Sequence, residues 1–199
     1  EVRQVGELLG WMHTLTVGYR AKHNREHQWN LESTRDFFEQ KKTILPDEFA
    51  QSVSELLDRL QFDADLPQGM IHEDLGKRHV LWQGDEIVGV LDFDRMYFGQ
   101  LVLDLGQVAR GWCFTHDWQR WDMDRFKALI EGYESKRTLS DAERSALYDA
   151  VRFALIERAI SFMVRSIEYT HDPKDAEFAW QSIVLFLQLK NLTSGEAVT

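Results

Sequence analysis

The residues best suited to chemistry crowd into one short stretch of the chain. His72-Glu73-Asp74 follows a short apolar segment, His79 stands five residues beyond Asp74, and Asp92-Phe93-Asp94 begins eighteen residues after Asp74. Carboxylates and imidazoles in this arrangement supply what phosphoryl transfer needs. One carboxylate orients or deprotonates an attacking hydroxyl, and others hold metal ions that neutralise charge developing on phosphates. A single Asp at a strand end is usually a turn former or a cap. The joint spacing of Asp74, position 79 and Asp92 favours a site over that reading. His72 and His79 on a helix face would read as packed core groups, but at loop edges beside carboxylates they point to a site. Asp94 divides evenly between metal contact and loop solvation.

The elements that must position these residues follow from periodicity. Val5, Leu8, Leu9, Met12 and Leu15 recur at helical spacing, so residues 2–16 read as an amphipathic helix. A polar, irregular stretch covers residues 18–34. Asp47 to Leu60 is a second helix with Phe49, Val53, Leu56, Leu57 and Leu60 on one face. Pro67-Gln68-Gly69 marks a turn before the apolar piece Met70 to His72. His79–Trp82 and Ile87–Leu91 flank Gln83-Gly84-Asp85-Glu86, a hairpin with a four-residue loop. Beyond residue 100 the pattern is helical. Ser140 and Glu143 form a capping-box pattern before Leu147, Val151, Leu155 and Phe162, and Trp180 to Leu192 marks a last helix. The expected fold class is α+β, mostly helical, with a small β insertion at residues 70–94 and no internal repeat.

Composition narrows the classes further. The chain is 199 residues long and 44% hydrophobic, which supplies a real core in one compact unit rather than a disordered segment. Its formal net charge of −10 opposes sequence-independent nucleic-acid binding, which needs Lys and Arg to neutralise phosphates. The lone cysteine, Cys113, rules out an internal disulfide and fits a reducing cytoplasm. It lacks a paired His and Asn pattern, which argues against a nucleophilic role. No apolar run reaches the length of a membrane span, and the N-terminus is not a signal peptide. His13, His23, His27, His116 and His171 are scattered without zinc spacing and read as surface groups. Trp112, Trp118 and Trp121 with Phe114 read as core first and as a pocket wall second.

Position by position, His72 to Leu81 followed by Val90 to Asp94 resembles the catalytic and metal-binding loops of the kinase-like phosphotransferases, of pattern H-x-D-x-x-x-x-N. The resemblance extends outward. Leu66-Pro67 through Cys113-Phe114, with Asp104-Leu105, is similar to the type II homoserine kinases, as is Glu131 to Arg144. Gly6 to His13 is similar to the first helix of the C-terminal lobe in the aminoglycoside phosphotransferase superfamily. The resemblance implies the C-terminal lobe of a protein-kinase-like fold, spanning residues 1–199. It implies ATP with Mg²⁺ or Mn²⁺ as cofactors and a small-molecule hydroxyl as acceptor. Carried over by position, Asp74 is the catalytic base and Asp92 the principal metal ligand, with His79 in the second ligand position and Asp94 a weaker candidate. His72 orients the loop, Asp104 braces it by hydrogen bonding, and Lys77 and Arg78 face the γ-phosphate or solvent.

Two departures qualify the expectation. Position 79 carries His where Asn is usual, and imidazole suits softer metals than Mg²⁺; macrolide kinases of the superfamily also have His there. In addition, nothing before residue 70 reads as a Gly-rich phosphate loop or as a strand Lys with a partner Glu. The expectation is a piece of a longer protein with about 100 residues, one small domain, upstream. Homoserine is the first acceptor to consider. An antibiotic kinase of the same fold and a catalytically retired kinase-fold binding module are the alternatives.

Overall fold

The computed structural model describes residues 1–19, 22–23, 29–189 and 192. The chain opens with α1 (Val2–Thr16), then α2 (Leu31–Lys41) and α3 (Asp47–Leu57). The β region follows as β1 (Gln68–Ile71), β2 (Val80–Gln83), β3 (Glu86–Val90) and β4 (Tyr97–Gln100). It leads into α4 (Leu101–Trp112), α5 (Met123–Glu134), α6 (Asp141–Arg165) and α7 (Pro173–Leu189).

The strands form two antiparallel pairs. β1 pairs with β4 from Gln68↔Gln100 to Ile71↔Tyr97, and β2 pairs with β3 from Val80↔Val90 to Gln83↔Glu86. The β1–β4 pair closes the base of the segment that carries every candidate from His72 to Asp94. Its strand β4 runs directly into α4, which delivers Asp104 beneath that segment.

Helices then wall the site. α1 packs on α5, while α4 and α7 both pack on α6. The α4–α6 approach is close because of Gly106: a Cβ there would sit 2.4 Å from the carbonyl carbon of Ala150. Leu105, Val108, Ala154 and Leu155 are fully buried around this crossing. Each buried Leu- or Val-sized side chain contributes about 1.5–3 kcal/mol. α6 starts where the capping box predicts, with Ser140 Oγ accepting from the Glu143 amide and Glu143 Oε2 accepting from the Ser140 amide. It ends in a π turn at Ser166–Thr170, and His171 in the left-handed region (φ 52°) lets Pro173 open α7.

Several expectations change. The hairpin turn holds Gly84 and Asp85 alone, with Gly84 at φ 59°, because Gln83 and Glu86 already pair. His79 stands in a 3₁₀ turn before β2 rather than in the strand. The β region extends to residues 68–100, since β4 pairs with a strand far away in sequence. The second helix ends at Leu57, and the last one starts at Pro173 and ends at Leu189, with residues 190–191 outside the described ones. The polar stretch at 18–34 gives way to α2, which Asn30 caps by accepting from the Ser33 amide at 2.8 Å. Residues 20–21 and 24–28 of that stretch, His27 among them, lie outside the described residues. Among the described residues no helix is long and apolar enough to cross a membrane.

Candidate active site

Asp104 is fully buried one turn into α4, and its carboxylate holds the loop above it. Oδ2 accepts from the His72 amide and Oδ1 from the Glu73 amide, both at 2.8 Å. His13 Nε2 lies 3.1 Å from Oδ2, and its Nδ1 lies 2.8 Å from the Tyr133 hydroxyl. Arg137 donates to that hydroxyl in turn at 3.0 Å. With Asp104 ionised, the donors align in one direction, from Arg137 through Tyr133 and His13 to Asp104. Burial alone would raise the Asp104 pKa; the His13 bond and the two amides outweigh it and hold the carboxyl below its usual range. His13 is therefore buried and not a surface residue, which corrects the sequence reading. His23, His116 and His171 are exposed as expected.

The loop is a tight turn in which Glu73 takes φ 69° and Gly76 donates its amide to the Asp74 carbonyl at 2.7 Å. His72 accepts the Asp74 amide at Nδ1 (3.2 Å), so its Nε2–H donates to the Leu91 carbonyl at 3.0 Å. This ties the Asp74 loop to the segment that ends in Asp92. His79 uses the other tautomer. Its Nδ1–H donates to the Asp74 carbonyl at 2.6 Å, which leaves the Nε2 lone pair free to act as an acceptor.

That nitrogen lies beside Asp92. Nε2 stands 3.0 Å from Asp92 Oδ2, and ligand atoms of Asp74, His79 and Asp92 all lie within 4.8 Å of one another. Asp92, at φ 68°, is aimed back toward His79 by its left-handed backbone. Two acceptors facing each other repel unless a cation or a proton lies between them. The pair is partly relieved by Arg78, whose Nε donates to His79 Nε2 at 2.8 Å. Carboxylates with one imidazole, whose other nitrogen is fixed by a backbone carbonyl, suit a divalent ion, Mn²⁺ as well as Mg²⁺. Asp94 is exposed and stands outside this group.

Beneath the loop lies a charge network whose members Glu73, Arg95, Gln107, Glu157 and Arg158 had no role in the sequence reading. Arg158, in the middle of α6, donates to Asp74 Oδ1 at 2.9 Å and lies 3.3 Å from Glu157. Arg78 holds Asp74 Oδ2 at 3.1 Å, so the carboxylate is oriented from both sides. Glu73 pairs with Arg95 and accepts from Gln107 at 2.8 Å. Burial, reinforced by the neighbouring Glu157, pushes the Glu73 carboxyl well above its usual range. Glu157 goes the other way: burial would raise it, and Arg158 and Arg95 pull it down. The signal for these residues was present. Asp104, Gln107 and Arg110 recur every third residue in an otherwise apolar helix, and Glu157-Arg158 interrupts the apolar face of α6.

A cleft of about 320 Å³ opens at Asp74. Lys77, Arg78, Arg110, Arg158, Trp118 and Phe178 are among the residues that line it, with Phe162 beside them. Trp112 and Phe114 are core, as their aromatic spacing predicts. Trp118 instead reaches the cleft, stacked on Phe114 at 5.8 Å between centroids. Lys77 Nζ sits 5.8 Å from the centre of the Trp112 ring.

Residues 1–143 match the model of the phosphotransferase enzyme family, and the chain belongs to that family. The homoserine kinase of Rhizobium rhizogenes is 33% identical over 150 residues, 73% of this chain and 46% of that protein. The homoserine kinase of Zymomonas mobilis is 30% identical over 183 residues, 88% of this chain and 55% of that protein. The chain thus spans about half the length of the curated relatives it matches. Among solved structures, the microcompartment-associated aminopropanol kinase superposes with a TM-score of 0.65 at 18% identity, covering 100% of this chain and 63% of that one. An amicoumacin kinase in complex with AMP-PNP and Ca²⁺ superposes at 0.63 and 17% identity, covering 98% and 61%. The fold is accordingly that of the protein-kinase-like phosphotransferases, mostly helical with small antiparallel sheets.

Proposed function

We propose that this chain carries the catalytic centre of an ATP-dependent kinase that phosphorylates a hydroxyl of a small molecule, with homoserine the first acceptor to test. The observation that supports this most is the convergence of Asp74, His79 and Asp92 within 4.8 Å, on a loop held from below by Asp104. Asp74 takes the proton from the acceptor hydroxyl. The new bond joins that oxygen to the γ-phosphorus, the bridging P–O bond to the β-phosphate breaks, and ADP leaves. Arg158 fixes the direction in which the Asp74 carboxylate points. His79 and Asp92 would hold the divalent ion, Mg²⁺ or Mn²⁺, which neutralises charge on the phosphates when bound. Lys77 and Arg78 supply positive charge in the cleft for the γ-phosphate. Asp94 keeps at most a contact through solvent.

The nucleotide-binding lobe, with its Gly-rich loop and strand lysine, is proposed to precede residue 1 in the full-length protein. The partial coverage of the curated relatives supports that reading. The homoserine preference rests on those same relatives.

The test is product identification. The full-length protein with ATP, Mg²⁺ or Mn²⁺ and homoserine should yield a new phosphomonoester resonance in ³¹P NMR. If ADP and inorganic phosphate accumulate without any phosphomonoester, across homoserine, choline, aminoglycosides and macrolides, the reading fails.

A further inference from the structure

Arg110 lines the cleft as a buried guanidinium with a single hydrogen bond among the described residues. Only 9% of its surface is exposed, and its Nε donates to Gln107 Oε1 at 2.9 Å. Its remaining guanidinium nitrogens have no hydrogen-bond partner, and no carboxylate reaches ion-pair distance among the described residues. Glu157, Asp74 and Glu73 offset part of the desolvation cost of this guanidinium from beyond ion-pair distance, and none of them is bonded to it. Burial and the adjacent positive charge of Arg158 push its pKa down to about 9. Both strains are relieved by one event, the arrival of an anion.

The geometry also says which side of the reaction that anion belongs to. The cleft lined by Arg110 contains Asp74 but neither His79 nor Asp92. Asp74 is thus shared between the cation group, where phosphates would sit, and the cleft, where the acceptor would sit. The walls of the cleft are Trp118, Phe162 and Phe178, and the Arg110 guanidinium lies 5.7 Å from the Trp118 ring centre. A volume of about 320 Å³ suits a metabolite of amino-acid size.

We propose that Arg110 is the specificity-determining residue for the acceptor, binding the carboxylate of a small hydroxy acid whose hydroxyl then reaches Asp74. The inference rests on the reading of Asp74 as the base and adds to it a residue, a charge and a direction. Arg158, already committed to Asp74 and Glu157, cannot serve the acceptor in the same way. Arg110 touches the substrate and leaves the proton transfer to Asp74.

The experiment compares homoserine with 3-aminopropan-1-ol, which keeps the chain, amine and hydroxyl and lacks the carboxylate. In the full-length protein kcat/KM should favour homoserine by on the order of 100-fold. Arg110→Gln should remove most of that ratio by raising the homoserine KM, with the KM for ATP little changed. Arg110→Lys, which keeps the charge but loses the fork, should lie between. Equilibrium binding of both compounds, followed by Trp fluorescence, gives the same comparison without turnover. It separates failure at Arg110 from failure of the Asp74 assignment, which Asp74→Asn kinetics report. The proposal is overturned if Arg110→Gln raises the ATP KM instead, or loses both acceptors equally. It is also overturned if the wild type binds both compounds with the same affinity. Should Arg110→Gln not fold, the wild-type comparison and Arg110→Lys decide the matter.

Discussion

His79 Nε2 lies 3.0 Å from Asp92 Oδ2, with the other ring nitrogen tied to the Asp74 carbonyl at 2.6 Å. The second bond leaves Nε2 as an acceptor, which takes a hydrogen bond from Arg78 Nε at 2.8 Å beside the Asp92 carboxylate. An amide side chain at position 79 would offer a harder oxygen to the same ion. The wild type should therefore reach half-maximal activity at lower Mn²⁺ than Mg²⁺. His79→Ala should raise the metal requirement about 10- to 100-fold, while His79→Asn should move the preference toward Mg²⁺. Divalent-ion titrations of the initial rate decide this, and an unchanged requirement in His79→Ala would remove His79 from the ligand set.

Asp104 stabilises the loop before any substrate arrives. Replacing it with Ala orphans the buried amides of His72 and Glu73, at about 1–3 kcal/mol each. Asp104→Ala should thus lower the unfolding free energy by about 2–5 kcal/mol in urea titrations.

The same carboxylate gives a pH signature. Its pKa in the folded chain lies below the ordinary value of 3.8, so its stabilisation is complete above that value and is lost as pH falls through the folded pKa. The stability gap between wild type and Asp104→Asn should be flat above about pH 5 and narrow only in stronger acid. A gap that widens on acidification would contradict the assignment.

The α4–α6 crossing positions Arg110 and Arg158 together, and Gly106 permits it. Gly106→Ala forces a Cβ against the Ala150 backbone and should destabilise the chain by about 1–3 kcal/mol. Because Arg158 orients Asp74, kcat should fall along with the melting temperature. A stable variant with normal kcat would show that the crossing tolerates separation.

What was legible in the sequence and what was not divides along physical lines. Asp74, His79 and Asp92 could be read because one turn and one hairpin bring them together, over eighteen residues of chain. Asp104 could be read only through the resemblance, although its contact with the His72 and Glu73 amides spans about thirty residues and is explicit in the structure. His13 escaped because the burial of a polar side chain depends on which helices meet; Arg110 and Arg158 did interrupt apolar helix faces, but local pattern does not report which charges they would meet. α2 was missed since only Thr34 and Phe38 are buried on it, too narrow a face for periodicity to register. β4 was missed because four residues pairing with a strand far away leave no local signature.

Asp74 carries the proposed proton transfer. The most direct measurement is single-turnover phosphoryl transfer from ATP to homoserine by the full-length protein, wild type against Asp74→Asn, with nucleotide binding measured in parallel. The account predicts a rate lower by about 10²- to 10⁴-fold in the variant with nucleotide affinity retained. A near-normal rate in Asp74→Asn, in a protein that binds nucleotide as the wild type does, would contradict it.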